Sequence, residues 1–534
     1  MNPSLIAIGV YVGVLIAIGV AGMLRSRNSE EDYYLAGRRQ GFLTTAFTIM
    51  ATMFSSAAVL GLPGQVYQDG FPFFFFALNL PLTACFVYLL GSRISRIGRA
   101  RGYVTPGDLV ADYYGGCAGV RLAVALCGFL FVLPYVVMQV KAGGHLAMTL
   151  FRDDFDVSDD ALFDTGALVF TGITTAYVLL GGMRSVAWSD VLQGVLLLSG
   201  MIIACAATIA AMGGLSAYFE ALTELPPEAQ SVPGVSGAWT VPKLMIFAFF
   251  SGVASIVQPA QWMRFYAAKS ANTLRRTALI FAIVLPVCLM ASMMVGLGGR
   301  ALYPPTVEES GAVTPHPDVG ANDQIVPNLM REHVPELLGP IGALVVAFFM
   351  VAVVAAAMST ADSNLHALSA VLTRDVYDRF IRPKASERER AWVGRGLIVI
   401  LSLFAYVLVR YGNRHPDFEP IKMIAQLMLV AIAFSLQLVP AALDVLFVNR
   451  GSGRGALCGI LSGLVVVFLF TPLPALFSES AAHSLADLTL DLKRNVDAGF
   501  CGLFVNVVVF AVVSRFTTKP APDVVKAFRK SGQS

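Results

Sequence analysis

Windows of about 20 apolar residues recur along nearly the whole chain, and they limit its fold more than any other feature. Each window is long enough for one helix to cross the ~30 Å of hydrocarbon in a bilayer. Only 14% of the 534 residues are charged, which is far below the charge content of a soluble domain. We therefore predict an all-α polytopic membrane protein. The thirteen predicted spans are 4–24, 42–66, 72–92, 119–149, 162–182, 187–212, 241–263, 274–299, 338–366, 391–411, 420–447, 455–473 and 497–515.

The lysines and arginines are distributed unevenly between the connecting segments. If the N-terminus is outside, most of the 38 basic residues fall in segments that face inward, as the positive-inside rule requires. The opposite segments are acidic instead, as at Asp153, Asp154 and Asp156. The sequence therefore predicts a plasma (inner) membrane protein with its N-terminus outside and its C-terminus in the cytoplasm. We expect the basic tail from Lys519 onward to be cytoplasmic and mobile.

The stretch Ala355–His366 places six polar residues within two turns of a predicted membrane helix. Polar groups in hydrocarbon cost free energy unless they face a cavity, a partner or an ion. Ser359, Asp362 and Ser363 are three and four residues apart, so they share one helix face. Such hydroxyl and carboxylate oxygens suit a hard cation such as Na⁺. Alternatively, the hydroxyls bond back to carbonyls of their own helix.

Two predicted spans are interrupted. Span two contains Gly61, Pro63 and Gly64 after a Ser55–Ser56 pair, and span seven contains Gln258–Pro259. Interrupted spans in corresponding positions of two halves point to a transporter binding site, because unwound backbone can coordinate an ion. The two spans are five apart, which suggests two five-helix repeats. Glycine and proline are also common in ordinary membrane helices.

Further polar residues lie within predicted spans. Asp190 and Gln193 share a face at the start of span six, where Asp190 is either an ion ligand or a helix N-cap. Gln139 and Lys141 lie in the outer half of span four. Lys141 either meets an anionic solute or extends to the outer surface.

Several function classes lack support in the sequence. There is no GxxxxGK[ST] motif for ATP hydrolysis and no GxSxG motif for an esterase, so we do not expect an enzyme. The basic residues lie beside the membrane and require no nucleic-acid partner to explain them. The expected partners are a small-molecule solute and the lipid bilayer, and the sequence gives no signal about oligomeric state.

The chain resembles the sodium:solute symporters, a family that includes sodium/glucose, sodium/proline and sodium/sialic acid cotransporters. The resemblance covers nearly the whole chain, and five motifs carry it: Glu31–Arg38, Gly181–Gln193, Gln258–Arg264, Ala267–Lys269 and Ala355–Ser363. It implies a leucine-transporter-like core of two inverted five-helix repeats. The implied organisation is an extra helix and inner loop (1–41), a first repeat (42–213), a second repeat (241–447), two additional helices (448–515) and a tail (516–534).

The resemblance also implies two sodium sites. The ligands of the main Na⁺ site would be the carbonyls of Ala51, Phe54 and Ala356 and the hydroxyls of Ser359 and Thr360. A second site, present in only some members, would use Asp190, Ser359, Asp362 and Ser363. Two-sodium members have Ser where this chain has Asp362. The additional carboxylate could strengthen sodium binding, change stoichiometry or bring a proton into the cycle.

Sugar-transporting members carry acidic and amide side chains where this chain has Ala57 and Ala58, so the resemblance favours an amino acid or carboxylate over a sugar. We expect a sodium-coupled importer that works by alternating access. A proton-coupled symporter of the same fold, a channel and a solute sensor are the alternatives. The residues predicted to face the solute are Ser55, Ser56, Ala57, Ala58, Gln139, Lys141, Gln258, Gln261 and Trp262.

Overall fold

The computed structural model of the chain describes residues 3–25, 29–152, 155–308, 312–415, 424–471, 473–476 and 496–533. Helices account for most of these residues. The α-helices are Pro3–Leu24, Glu30–Leu35, Phe42–Met53, Leu62–Asp69, Asn79–Phe86, Ser92–Arg101, Pro106–Tyr113, Ala118–Phe151, Asp159–Ala211, Leu215–Thr223, Pro227–Gln230, Val241–Val257, Pro259–Ala267, Ala271–Leu302, Ile325–Leu338, Pro340–Val371, Glu387–Arg414, Ile424–Leu436, Val439–Leu443, Gly453–Phe470, Ala498–Phe516 and Pro522–Gln533.

Shorter elements connect or continue these helices. The π-helical segments are Ala57–Gly61, Val87–Gly91, Leu372–Ile381 and Asp444–Val448. The 3₁₀ segments are Ala36–Arg38, Phe71–Leu78, Asn322–Gln324 and Leu473–Leu476. Strands Thr306–Val307 and Val313–Thr314 form a small antiparallel hairpin in an otherwise helical protein.

Within the described residues, nine helices are long and apolar enough to cross a membrane, and three bent helix pairs raise the number to as many as 12. Helix Asp159–Ala211, the kinked helix, has 53 residues and is interrupted at Gly182, where φ is 56°. The positive φ separates the two segments that the sequence predicts as spans 162–182 and 187–212. The total of 13 crossings and the repeat boundaries stay predictions, and the predicted start of span eleven, residues 420–423, lies outside the described residues.

Both predicted interruptions are present. The first broken helix joins Phe42–Met53 to Ala57–Asp69 with a bend of 57°. The second broken helix joins Val241–Val257 to Pro259–Ala267, also with a bend of 57°. Phe54 and Gln258 have extended backbone angles at the two breaks, so helical hydrogen bonding stops there.

A third break was not predicted from the sequence. Helix Ile424–Leu436 meets Val439–Val448 at 44°. Pro440 lies in the first turn after this break, where a proline is well tolerated because its missing N–H is not needed. The sequence predicts one continuous span over residues 420–447, whereas the structure divides this stretch at Gln437 and Leu438.

The tail prediction is wrong in one respect, because residues 522–533 form a packed helix. This C-terminal helix packs on Ser92–Arg101, and Phe528 is only 1% exposed, between Tyr103 and Tyr113. An apolar side chain inserted into an aromatic pocket stabilises a segment whose composition alone indicated a mobile tail.

The core of the bundle surrounds helix Pro340–Val371, which we call the polar helix. From Phe349 to Val371 every residue is buried. The polar helix contacts the kinked helix, Ala118–Phe151 and the first broken helix. The polar residues predicted to bind an ion therefore lie at the centre of the protein and away from lipid.

Candidate functional site

The residues predicted to form the main cation site meet where the polar helix crosses the first broken helix. The hydroxyl of Ser359 lies 3.1 Å from the carbonyl oxygens of Ala51 and Ala356, and the hydroxyl of Thr360 lies 3.0 Å from that of Ala51. All four residues are at most 1% exposed. The structure therefore brings four of the five predicted ligands of the main site together. Such oxygens, without a thiolate or imidazole, suit a hard cation.

Local sequence explains why this crossing is close. Ala51 and the run Ala355–Ala357 leave only methyl groups between the two helices, and small residues let helix backbones approach. The fifth predicted ligand, the carbonyl of Phe54, lies at the first break. Its residue has φ −84° and ψ 96°, so this carbonyl is outside the regular helix. Unlike the carbonyls of Ala51 and Ala356, it is therefore unwound backbone, which can turn toward an ion.

The second predicted site contains a buried network. Tyr177 donates to Oδ2 of Asp362, and Ser363 donates to its Oδ1 at 2.9 Å. Thr48 donates to Oδ2 of Asp190, whereas Oδ1 of Asp190 has no hydrogen-bond partner among the described residues. A buried carboxylate oxygen without a partner is costly, so this atom marks a place for a further cation.

Arg264 places a fixed positive charge in the same network. Its Nη2 atom donates to the Ser363 hydroxyl and lies 3.4 Å from Oδ2 of Asp190, and its Nε atom lies 3.0 Å from the Thr48 hydroxyl. Arg264, Asp190 and Asp362 are completely buried. With both acids ionised, two carboxylates face one guanidinium, which leaves one excess negative charge for a monovalent cation to neutralise.

A small cavity of about 50 Å³ lies beside the two predicted breaks. Its polar lining consists of Asn79, Tyr135, Ser255 and Gln258, and no charged side chain of the described residues contributes to it. The Oε1 atom of Gln258 is buried and has no hydrogen-bond partner in the part of the chain that the structure describes, whereas its amide nitrogen donates to the Ser255 carbonyl at 2.8 Å. The remaining lining residues are Met53, Phe54, Ala57, Ala58, Leu62, Phe76, Leu80, Leu289, Met428 and Ile432.

Three of the nine residues predicted to face the solute, Ala57, Ala58 and Gln258, line this cavity. Three others, Ser55, Ser56 and Gln139, shape the break: the Ser56 amide donates to Oε1 of Gln139 at 3.1 Å, and the Ala57 amide to Oγ of Ser55 at 3.1 Å. Side chains therefore already satisfy these two amides.

The remaining predicted solute residues lie elsewhere. Gln261 donates to the carbonyl of Ile49 at 3.2 Å, and so joins the two broken helices. Trp262 is buried and does not line the cavity. Lys141 lies away from the cavity, in the electrostatic field of Asp323. Burial raises the pKa of Asp323, and the charge of Lys141 and the N–H of Ile424 oppose that effect.

Comparison with known proteins gives the family. Residues 33–463 match the sequence model of the Sodium:solute symporter family, which is more than half of the chain. The chain belongs to the sodium:solute symporter family. The symporter is therefore a sodium-coupled transporter of a small solute and not an enzyme, as the sequence predicted.

Characterised relatives of this symporter align over most of their length. The sodium/proline symporter of Haemophilus influenzae is 25% identical over 99% of this chain and 98% of its own. The sodium/proline symporter of Escherichia coli is 26% identical over 88% of each chain. The sodium/pantothenate symporter of Haemophilus influenzae is 26% identical over 83% of this chain and 84% of its own.

Solved structures confirm the leucine-transporter-like fold. A Na⁺-coupled sialic acid symporter in a substrate-bound outward-open state matches with a TM-score of 0.74, 18% identity and coverage of 98% of this chain and 99% of that one. A nucleobase-cation-symport-1 family transporter matches with a TM-score of 0.53, 13% identity and coverage of 95% and 100%.

Sequence reasoning did not identify several residues around these sites. Thr48, Tyr177 and Arg264 complete the carboxylate network, and Asn79 and Tyr135 line the cavity. Arg264 directly follows the predicted span 241–263, so in the sequence it resembles any other basic residue beside the membrane. Asn79 and Tyr135 resemble ordinary packing residues, so only their three-dimensional neighbours identify them.

Proposed function

We propose that the symporter imports a zwitterionic amino or imino acid, with proline the first candidate, together with Na⁺. The observation that carries this proposal is the unpaired Oε1 of Gln258 in a cavity without charged side chains. An ammonium or imino N–H can donate to that oxygen, and a net-neutral solute needs no counter-charge in the lining. The proline symporters among the relatives support the same class.

The pantothenate symporters among the relatives make an anionic carboxylate the alternative within the same function. Such a solute would bring a net negative charge into the cavity. The cavity lining has no cation among the described residues, so the bound Na⁺ would be the cationic partner of such a solute there. A sugar fits less well, because Ala57 and Ala58 present methyl groups where hydroxyl-binding side chains would be needed.

We propose that Na⁺ binds at Ala51, Phe54, Ala356, Ser359 and Thr360 before the solute. The ion joins the polar helix to the last turn before the first break, and this fixes the turn that lines the cavity through Phe54 and Ala57. Solute binding then completes the cavity wall, and one helix group rocks against the other. The membrane potential supplies about 2.3 kcal/mol per charge per 100 mV.

The test is uptake of radiolabelled proline into proteoliposomes under an imposed Na⁺ gradient, an imposed H⁺ gradient or neither. Uptake should follow the Na⁺ gradient and be competed by unlabelled proline more than by pantothenate or glucose. Gln258→Leu should raise the proline concentration for half-maximal uptake about tenfold, because one hydrogen bond to a charged group is lost. Uptake that ignores Na⁺ would contradict the proposal.

We also infer that the Asp190–Asp362 network binds a second cation, Na⁺ first and H⁺ as the alternative. The excess carboxylate beside Arg264 and the unpaired Oδ1 of Asp190 favour this. Na⁺ activation of uptake should be sigmoidal in the wild type and hyperbolic in Asp190→Asn. Hyperbolic activation in both proteins, with no response to an H⁺ gradient, would mean that only the main site is coupled.

We propose that the face carrying residues 29–41, the helix Pro106–Tyr113 and the C-terminal helix is cytoplasmic. The concentration of lysine and arginine on this face supports that orientation. The test uses the single substitutions Arg388→Cys and Glu224→Cys, each in a protein whose exposed native cysteines have been replaced. An impermeant thiol reagent applied to intact cells should label the second and not the first.

A further inference from the structure

The basic face contains two groups of arginines with different surroundings. In the first group, Arg121 lies 2.9 Å from Asp108 and 2.5 Å from Asp375, and Arg374 lies 2.9 Å from Asp108. Acidic partners therefore explain these arginines, which hold the inner ends of several helices together.

The second group, Arg93, Arg96, Arg275 and Arg529, we call the arginine cluster. None of its members forms an ion pair with a carboxylate among the described residues, although many other arginines of the chain do. Instead their positive charges act on one another: Arg96 and Arg529 on Arg93, and Arg275 on Arg96. Neighbouring guanidinium groups repel one another, so an external negative charge would stabilise the cluster.

The hydrogen bonds of the cluster do not supply that charge. Arg96 donates to the carbonyl of Gly532 at 2.8 Å, and Arg529 to the side-chain oxygen of Asn449 at 2.7 Å. The Nε atoms of Arg93 and Arg275 are buried without a hydrogen-bond partner among the described residues. Neutral oxygens orient the groups and leave their charge uncompensated.

The cluster lies at the ends of two lipid-facing surfaces. Leu89 is 55% exposed and lies one turn before Arg93, and Leu279 is 66% exposed and lies one turn after Arg275. Arg275 lies over the ring of Tyr88 at 5.5 Å. Along this surface, apolar side chains are followed by an aromatic ring and then by cationic side chains. A phospholipid has the matching order, with acyl chains followed by a charged headgroup.

We propose that the arginine cluster binds the phosphate of an anionic phospholipid of the leaflet on the basic face. The acyl chains lie against Leu89, Leu279 and the helix surfaces above them, and the headgroup lies among Arg93, Arg96 and Arg275. Arg529 of the C-terminal helix adds a fourth cation, so the lipid fastens that helix to the bundle. Basic pockets between membrane helices bind anionic headgroups in this way. This site is separate from the transport sites and does not rest on the proposed solute.

The experiment uses the purified full chain in a neutral detergent, titrated with phosphatidylglycerol, with phosphatidylcholine or with inorganic phosphate. Lipid binding is counted by native mass spectrometry, and the thermal unfolding midpoint is followed in parallel. Phosphatidylglycerol should bind and raise the midpoint. Phosphatidylcholine should do neither. If inorganic phosphate binds and prevents phosphatidylglycerol from binding, but does not itself raise the midpoint, the phosphate site still lies in the arginine cluster.

Variants locate the site on the cluster. The double substitution Arg93→Gln/Arg275→Gln should weaken phosphatidylglycerol binding about 25-fold, and Arg529→Gln alone about fivefold. These factors follow if each arginine contributes about 1 kcal/mol to the binding of an anionic lipid. Arg529 is exposed, so its loss cannot prevent folding. The matched control is Lys384→Gln/Arg388→Gln, two exposed cations of the same face outside the cluster. Equal affinity in all variants, or equal midpoint shifts from phosphate and phosphatidylglycerol, would overturn the lipid assignment.

Discussion

Ser359 and Thr360 show how little side-chain chemistry the main cation site needs. Each places one hydroxyl beside the carbonyl of Ala51 on a second helix. In the absence of an ion, the same hydroxyls donate to carbonyls, as serine and threonine commonly do in membrane helices. The two interpretations of the sequence are therefore compatible, because a hydroxyl oxygen can still present a lone pair to a cation.

We expect Ser359→Ala and Thr360→Ala each to raise the Na⁺ concentration for half-maximal uptake roughly tenfold, about 1.4 kcal/mol, while maximal uptake falls much less. Removal of one oxygen weakens ion binding without changing the helix. Uptake as a function of Na⁺ measures the effect. Ser402→Ala is the matched control, because Ser402 is also buried and donates to its own helix at 2.8 Å. Unchanged Na⁺ dependence in both site variants would refute the placement.

Asp108 and Asp112 lie on one short helix and differ in burial and in their partners. Asp108 is 4% exposed, caps the helix start through Thr105 and pairs with Arg121 and Arg374. Burial alone would raise the pKa of Asp108, but the charges of Arg374 and Arg121 and the Val104 N–H outweigh burial and hold it below its usual range. A carboxylate with a lowered pKa stabilises the fold above about pH 4, and this contribution is lost as the pH falls further.

Asp108→Asn should therefore lower stability by about 3 kcal/mol at neutral pH, because Arg121 and Arg374 each lose one of their two carboxylate partners. Asp112→Asn, which removes a partly exposed pair with Arg101 and alters the acceptor of the Tyr103 hydroxyl, should cost less than about 1 kcal/mol. Thermal unfolding of the two purified variants side by side measures the difference. Similar midpoints would show that the buried network does not hold these helices together.

At the scale of whole elements, the first broken helix depends on glycine to reach its neighbours. A Cβ atom on Gly64 would lie 2.8 Å from the carbonyl oxygen of Asn322, and one on Gly61 would lie 2.9 Å from Ile424. At Gly64 the half-helix Ala57–Asp69 therefore packs backbone against backbone with residues 322–323. This contact holds the break, and with it the cavity lining, in place.

We expect Gly64→Ala to reduce maximal uptake several-fold, because the half-helix must move away from residues 322–323. Gly172→Ala is the control, since nothing lies within 4 Å of a Cβ atom at that position. Initial rates at saturating Na⁺ and solute measure the effect. A Gly64→Ala protein with wild-type rates would show that this close contact is dispensable for the transport cycle.

At the scale of the whole molecule, ion and solute share a structural element. Phe54 contributes to the predicted Na⁺ site and also lines the cavity, so each ligand stabilises the same arrangement of the first break. Energetic coupling of this kind is reciprocal: each ligand must raise the affinity for the other by the same factor.

Proline should therefore raise the thermal unfolding midpoint of the purified symporter in Na⁺ and have little effect in choline. Na⁺ should also raise the midpoint, and the Na⁺ concentration that gives half of this rise should fall about tenfold when proline is saturating. A tenfold change corresponds to a coupling free energy of roughly 1.4 kcal/mol. Gln258→Leu should retain the response to Na⁺ and lose most of the response to proline. An equal proline shift in choline would exclude sodium coupling at this site.

The pattern of the chain was sufficient to predict a bundle of apolar membrane helices, the two breaks, and the residues that meet where the polar helix crosses the first broken helix. These predictions depend on the length of apolar runs, the positions of Gly and Pro, and the polar residues within a span. Each of these features is a property of a short stretch of sequence. The partners of Asp190 and Asp362 could not be predicted, because Arg264, Tyr177 and Thr48 come from three distant helices. The packed C-terminal helix was missed for the same reason: the pocket for Phe528 exists only after Tyr103 and Tyr113 meet. Contacts between distant segments depend on the relative placement of whole helices, and only the tertiary structure decides that placement.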